Sequence, residues 1–156
     1  MSNIQSILSD TSFIETGIAE CCRYEAGDVI IVEGSSDRSI YLIQSGTVRV
    51  SGRVELEGQR HIQPGLCDLG VGEIFGELSL FESGPRTASV VAIEACDLLV
   101  FDAEALAEHF DRHPERGYLV LKSLFSLLNG RLRQADRRLE FLFAWGLKAH
   151  GIDQHL

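Results

Sequence analysis

Gly72 to Val90 reads GEIFGELSLFESGPRTASV and holds the residue types that can clasp a small anion. Phe75-Gly76-Glu77-Leu78 predicts a short helical turn directly after a glycine, where free backbone N–H groups and the positive end of the peptide dipoles point outward. Nine positions after Glu77 stands Arg86, within Pro85-Arg86-Thr87, and the chain returns to a strand beginning near Ala88. One fixed cation can therefore face the same small cavity as the turn. The glycine lets a ligand approach the backbone, the arginine supplies a planar donor fork suited to a phosphate, and the glutamate can accept a hydrogen bond from a sugar hydroxyl. An ion pair between Glu77 and Arg86, serving only to brace the segment, is the purely structural alternative.

Such a turn needs rigid elements on either side. From Arg23 to Phe101 the chain runs in short β-rich segments, DVIIVEG, SIYLIQSG, TVRVSGRVEL, SVVAI and LLVFD, broken at close spacing by Gly, Asp and Ser. Reversals are expected at Gly27-Asp28, Gly34-Ser35-Ser36-Asp37, Ser45-Gly46, Glu57-Gly58 and Pro64-Gly65. No helical crossovers separate the strands, so the sheets should be mostly antiparallel and closed into a sandwich or barrel. Residues 1–22 read as a short helical segment, with Ser12 and Glu15 in a capping-box relation ahead of Phe13, Ile14 and Ile18.

Asp102 can cap a brief helix over AEALAEHF, and Pro114 can open a second at its first turn. That last helix is expected to reach about Gly146. Its apolar positions Tyr118, Leu121, Phe125, Leu128, Leu132, Ala135, Leu139 and Leu142 alternate spacings of three and four, as a coiled-coil seam does. Leu119, Val120, Leu124 and Leu127 lie off the seam and should pack on the β region. Arg131 at g and Asp136 at e are placed to pair across a parallel homodimer formed through residues 118–142. Burial of the whole stripe on the chain's own barrel is the alternative.

Three segments together resemble the cyclic nucleotide-binding domain of catabolite-activator-type regulators, cyclic-nucleotide-dependent kinases and gated channels. They are Gly27-Asp28-Val29-Ile30 with Glu33-Gly34 and Asp37; Tyr41-Leu42-Ile43 with Ser45-Gly46 and Val48; and the phosphate-binding cassette FGELSLFESGPRTASV. The likeness runs from about Arg23 to about Phe143. It implies a mainly β fold, a jelly-roll-like double-stranded β-helix with a short N-terminal helix and a long C-terminal one. Within a single domain over 1–156, the β-roll would occupy 23–102 with the cassette at 75–89, and the helices 103–148.

The resemblance further implies that Arg86 neutralises a cyclic phosphate and Glu77 accepts from the ribose 2′-hydroxyl. Backbone amides of Gly76, Glu77, Leu78 and Ser79, with those near Thr87 and Ala88, would complete the cradle. The ligand is then cAMP or cGMP. Thr87 leaves cGMP open because family members with that preference can use a threonine there, and cAMP ranks first. Asn129 and Arg131 are candidates to contact the base from the C-terminal helix. The expected role is a non-catalytic regulatory module that signals to a protein effector by moving its helices; a nucleotide-free dimerisation scaffold is the rival.

Composition narrows the classes. The 156 residues hold 14 Lys and Arg against 23 Asp and Glu, a net charge of −9 and the wrong sign for a phosphate-backbone footprint. Arg131, Arg133, Arg137 and Arg138 cluster, but Asp136 and Glu140 interrupt them and are spaced to pair with Arg133 and Arg137. Ten residues follow Gly146, too few for a recognition helix, so direct nucleic-acid binding is not expected. No run approaches the ~20 apolar residues of a membrane span, and the start lacks a signal-peptide pattern, so a cytoplasmic protein with no membrane partner is expected. Cys21, Cys22, Cys67 and Cys96 fit buried free thiols. His61 alone falls in the β region, which leaves a catalytic or structural metal without a ligand set, and no enzyme or cofactor is expected.

Overall fold

A computed structural model describes residues 3–52, 54–56, 60–62 and 65–151. Two short helices, α1 (Asn3–Leu8) and α2 (Ser12–Glu15), precede ten strands. The strands are β1 (Ala19–Tyr24), β2 (Val29–Ile31), β3 (Ser39–Ser45), β4 (Val48–Ser51), β5 (Val54–Leu56), β6 (Arg60–Ile62), β7 (Gly65–Leu69), β8 (Ile74–Phe75), β9 (Ser89–Ala92) and β10 (Cys96–Asp102). A 3-10 turn at Glu77–Leu80 follows β8, and α3 (Ala103–Arg112) and α4 (Pro114–Ala149) close the chain. One sheet has the order β1-β10-β3-β8, the other β2-β9-β4-β7, and β5 pairs with β6. All of these pairings are antiparallel.

β3 explains the layering. Successive side chains of a strand face opposite ways, and both faces of this one are covered, so Ile40, Tyr41, Leu42 and Ile43 are all buried. Ile40 and Leu42 join Leu99 and Phe101 beneath the helices, with Phe13, Leu106, Phe110, Val120 and Leu124. Tyr41 and Ile43 point between the sheets with Val48, Phe75, Val90 and Leu98. α4 is thus fixed to the β-roll at its start through Val120 and Leu124, as the off-seam positions require; Leu127 packs beside them, while Leu119 stays exposed.

Asp102 caps α3 by accepting from the Ala105 N–H at 2.8 Å, and Pro114 opens α4, which runs three residues past Gly146. Gly27, Gly34 and Gly46 take positive φ at the expected reversals; Glu57-Gly58 and Pro64 lie outside the described residues.

Several expectations are corrected. Residues 19–22 are strand, because their backbone pairs with Leu98–Phe101 of β10 and that long-range ladder outweighs local helical pattern. The capping acceptor of α2 is not Ser12 but Asp10, whose Oδ1 receives the Ser12 N–H at 3.0 Å. Of the cysteines only Cys96 is fully buried; Cys22 and Cys67 are half-buried, and Cys21 is exposed on the edge strand β1. The pairs Arg133–Asp136 and Arg137–Glu140 do not form, and all four side chains extend into solvent. The seam residues Tyr118, Leu121, Phe125, Leu132, Leu139 and Leu142 are exposed in the single chain, so the stripe is not buried wholesale on its own barrel. Among the described residues no helix is long and apolar enough to cross a membrane.

Candidate functional site

β8 ends at Phe75, stacked on Tyr41 with ring centroids 4.7 Å apart, and the chain then turns sharply at Gly76. Gly76 has φ +75°, and a Cβ there would lie 2.7 Å from the Ser39 carbonyl oxygen and 3.0 Å from Arg86 Nη1. Both facts demand glycine. The 3-10 turn starts immediately, so the first N–H groups of the turn lack intrahelical partners. The Ser79 N–H is an exception to the expected cradle, since it donates to Gly76 O at 3.2 Å.

Arg86 is 8% exposed and every one of its donors is engaged. Nε and Nη2 donate to Asp37 Oδ1 and Oδ2 at 2.9 and 2.8 Å. Nη2 also donates to Ser39 O at 2.6 Å, and Nη1 to Ser79 Oγ at 2.8 Å and Gly76 O at 3.3 Å. This accounts for all five guanidinium N–H groups. The Arg86 hydrogen bonds, ahead of its charge, hold the Asp37 carboxyl below the usual carboxylate range against partial burial. Burial, helped by the Asp37 charge, pushes the Tyr41 phenol up to about 12 and keeps it neutral.

Glu77, 6% exposed, does not pair with Arg86. Its Oε1 receives Arg131 Nη1 at 2.7 Å, and Arg131 Nη2 donates to Ile74 O at 2.6 Å. The brace envisaged between Glu77 and Arg86 is therefore replaced by two separate pairs, each reaching to a distant element. Within the single chain Arg131 is the partner of Glu77.

Between the cassette, the inner face of the β-roll and α4 lies a cavity of about 650 Å³, within the ~300–1,000 Å³ range of small-molecule sites. Gly76, Glu77, Leu78, Ser79, Arg86, Thr87 and Ala88 all line it, as does Arg131. Asn129 is half-buried and stands outside it, because two residues turn a helix by about 200° and place it on the far side from Arg131. Sequence reasoning missed the apolar wall from Ile31, Val50, Cys67, Leu69 and Val90, and the α4 residues Gln134 and Arg138. The last two were discoverable, since positions 131, 134 and 138 share one helix face. The pairing of Asp37 with Arg86 carries no local signal in the sequence, since the two stand 49 positions apart. Among the described residues no cluster of three or more His, Cys, Asp or Glu could hold a metal ion.

Residues 21–113 match the model of the cyclic nucleotide-binding domain family. The chain is 40% identical over 119 residues to the cyclic AMP receptor protein of Thermus thermophilus, covering 76% of this chain and 51% of that protein. It is 31% identical over 116 residues to a CRP-like cAMP-activated global transcriptional regulator of Mycobacterium tuberculosis, covering 74% and 48%. The crystal structure of a cyclic nucleotide-binding domain from Methylobacillus flagellatus superposes with a TM-score of 0.71 at 25% identity, covering 86% of this chain and 79% of that one. The chain spans about half the length of these two curated relatives.

Proposed function

The chain belongs to the cyclic nucleotide-binding domain family, and from that premise we propose that it takes up a 3′,5′-cyclic mononucleotide, cAMP ahead of cGMP, in the cavity under α4. The observation that supports this most is that Arg86, Glu77 and the 3-10 turn residues Leu78 and Ser79 line one cavity. A cyclic phosphodiester carries one negative charge, and a charge taken out of water needs a counter-charge and hydrogen bonds.

Arg86 provides the counter-charge, and Nη1, the donor end that borders the cavity, exchanges its Ser79 partner for a phosphate oxygen. The amides of Gly76, Glu77 and Leu78 and those near Thr87 and Ala88 approach the remaining oxygen. Arg131 engages Glu77 Oε1, so Oε2 accepts the ribose 2′-hydroxyl; a 2′-deoxy ligand would leave that carboxylate oxygen unpaired. Arg131 stands at the base end of the cavity, and Gln134 and Arg138 replace Asn129 as its companions on α4.

The output is motion, not catalysis. Arg131 links the cassette to α4, so a ligand that engages Glu77 biases where the helix rests, provided it binds one arrangement better than the other. The exposed seam from Tyr118 to Leu142 pairs α4 with that of a second copy, and the dimer relays occupancy to a protein effector. Size-exclusion chromatography with light scattering tests the pairing: a dimer at micromolar concentration is expected, and a monomer would refute it.

Thermal melting with cAMP, cGMP and other cyclic nucleotides tests the ligand. Ligand at 100 times its Kd adds about 2.7 kcal/mol and raises the melting temperature. Because groups of the chain itself engage all five Arg86 N–H donors, a nucleotide-free dimerisation scaffold of the same fold is the second reading, and no shift with any nucleotide would favour it.

A further inference from the structure

Every residue of α4 from Leu132 to Trp145 is exposed, and in its last turns Leu139, Phe141, Leu142, Phe143 and Trp145 put apolar side chains around the helix. Leu139 and Leu142 belong to the seam, so the proposed pairing covers them. Phe141 and Trp145 do not. With Leu132 and Leu139 at a, Phe141 falls at c, on the outer side of a paired helix, and Trp145 at g, beside the seam. They are 81% and 69% exposed, and neither lines the cavity. Arg137, Phe141, Trp145 and Lys148 follow one another at spacings of four, four and three, which makes one stripe along the helix, basic at both ends and aromatic between. Arg137 and Lys148 are exposed and form no ion pair among the described residues.

We infer that this stripe docks the protein on a bilayer of anionic phospholipid, with the end of α4 lying along the lipid–water boundary. Shape and charge name the occupant. The face is the convex side of a helix and offers a peptide no groove, whereas a bilayer boundary takes up a convex aromatic face directly. Tryptophan and phenylalanine between arginine and lysine suit that boundary, since the rings settle at headgroup level and the cations meet lipid phosphates. The charge complementarity is local. The whole chain carries −9, yet residues 131–150 hold five Lys and Arg against two Asp and Glu. Charges more than ~8 Å away are largely screened at physiological salt, so an anionic surface meeting this end responds to its positive sign. No described helix is long and apolar enough to cross a membrane, and a helix that lies on one need not be. The expectation of no membrane partner therefore applies to a span alone. Because Phe141 and Trp145 stand outside the cavity, the inference is independent of the ligand.

Trp145 is the one tryptophan of the chain, so its emission reports on this stripe by itself. The full chain should sediment with vesicles of mixed phosphatidylglycerol and phosphatidylcholine and not with vesicles of phosphatidylcholine alone. On the anionic vesicles Trp145 emission should move to shorter wavelength and be quenched by brominated acyl chains. Salt raised from about 0.1 M to about 1 M, which shortens the Debye length from ~10 to ~3 Å, should weaken the binding. Phe141→Ser should weaken it at least about tenfold, the loss of one ring from the apolar phase, and Lys148→Gln about fivefold. Both positions are exposed, and unchanged circular dichroism checks that the variants fold. No sedimentation with the anionic vesicles, sedimentation with Trp145 emission unmoved, or equal binding by a folded Phe141→Ser would each overturn the docking surface and leave the nucleotide reading untouched. Emission that moves to shorter wavelength with rising protein concentration, with no vesicle binding, would make the stripe an interface between copies and overturn the membrane assignment.

Discussion

Glu77 and Arg131 lie 54 positions apart in the chain and 2.7 Å apart in the fold. The pair joins the turn that opens the cassette to the middle of the long terminal helix. Arg131 also donates to the Ile74 carbonyl, so the helix is registered against the cassette by a charge and by a backbone acceptor together. A ligand that touches Glu77 therefore acts on a residue already connected to the helix.

Arg131→Ala should cost stability near the low end of a charge-assisted hydrogen bond, about 1.5 kcal/mol, because it strands a buried carboxylate. The low end applies since Arg131 is 32% exposed and water can partly replace it. Urea midpoints give the stability change, and amide hydrogen exchange should speed up in the second half of α4. An unchanged exchange pattern there would show that the pair does not hold the helix.

Arg86→Leu should weaken cyclic nucleotide binding at least about tenfold, as the loss of charge-assisted bonds worth roughly 1.5 to 3 kcal/mol requires. Calorimetric titration measures it. Equal affinity in the variant would remove Arg86 from the site.

Gly76→Ala tests the turn. A left-handed φ costs a residue with a Cβ about 1–2 kcal/mol, and here the new methyl group must also displace the Ser39 carbonyl and Arg86 Nη1. Both stability and nucleotide affinity should fall, read by urea denaturation and titration. A variant as stable as the parent would mean the backbone has another way through this corner.

Much of this arrangement could be read from the chain before its structure, and the reason is local chemistry. Gly76, the turn residues after it, the Pro114 start of α4 and the Asp102 cap are dictated by their own neighbours. So is the strand rhythm, because β3 must hide both faces. What was illegible depends on residues brought together from afar. Asp37 and Arg86 are 49 positions apart, and nothing nearby in sequence says which carboxylate the arginine will choose. Ala19–Cys22 looked helical until β10 supplied a partner edge. The pairs Arg133–Asp136 and Arg137–Glu140 had suitable spacing, yet exposed i, i+3 pairs gain too little over water to be fixed by spacing alone.

Acid should loosen the N-terminal segment. Asp10 accepts from the Ser12 N–H and from Arg116 on α4 at 2.7 Å, and those contacts, the backbone bond foremost, lower its pKa from 3.8 to about 2. A depressed carboxylate pKa stabilises the fold fully above its unfolded value and loses that contribution as pH falls through its folded one. The urea midpoint of Asp10→Asn should lie below that of the parent at neutral pH, and the gap should narrow as pH falls from about 4 toward 2. A constant gap through that window would show that Asp10 acts by something other than its charge.

The most direct test is a crystal structure grown with excess cAMP. The phosphate should sit within hydrogen-bond distance of Arg86 Nη1 and the N–H groups of the 3-10 turn, with the ribose 2′-hydroxyl on Glu77 and the base beneath α4. A cavity that remains empty or filled by protein side chains at saturating nucleotide, or a nucleotide bound elsewhere on the surface, would contradict the account.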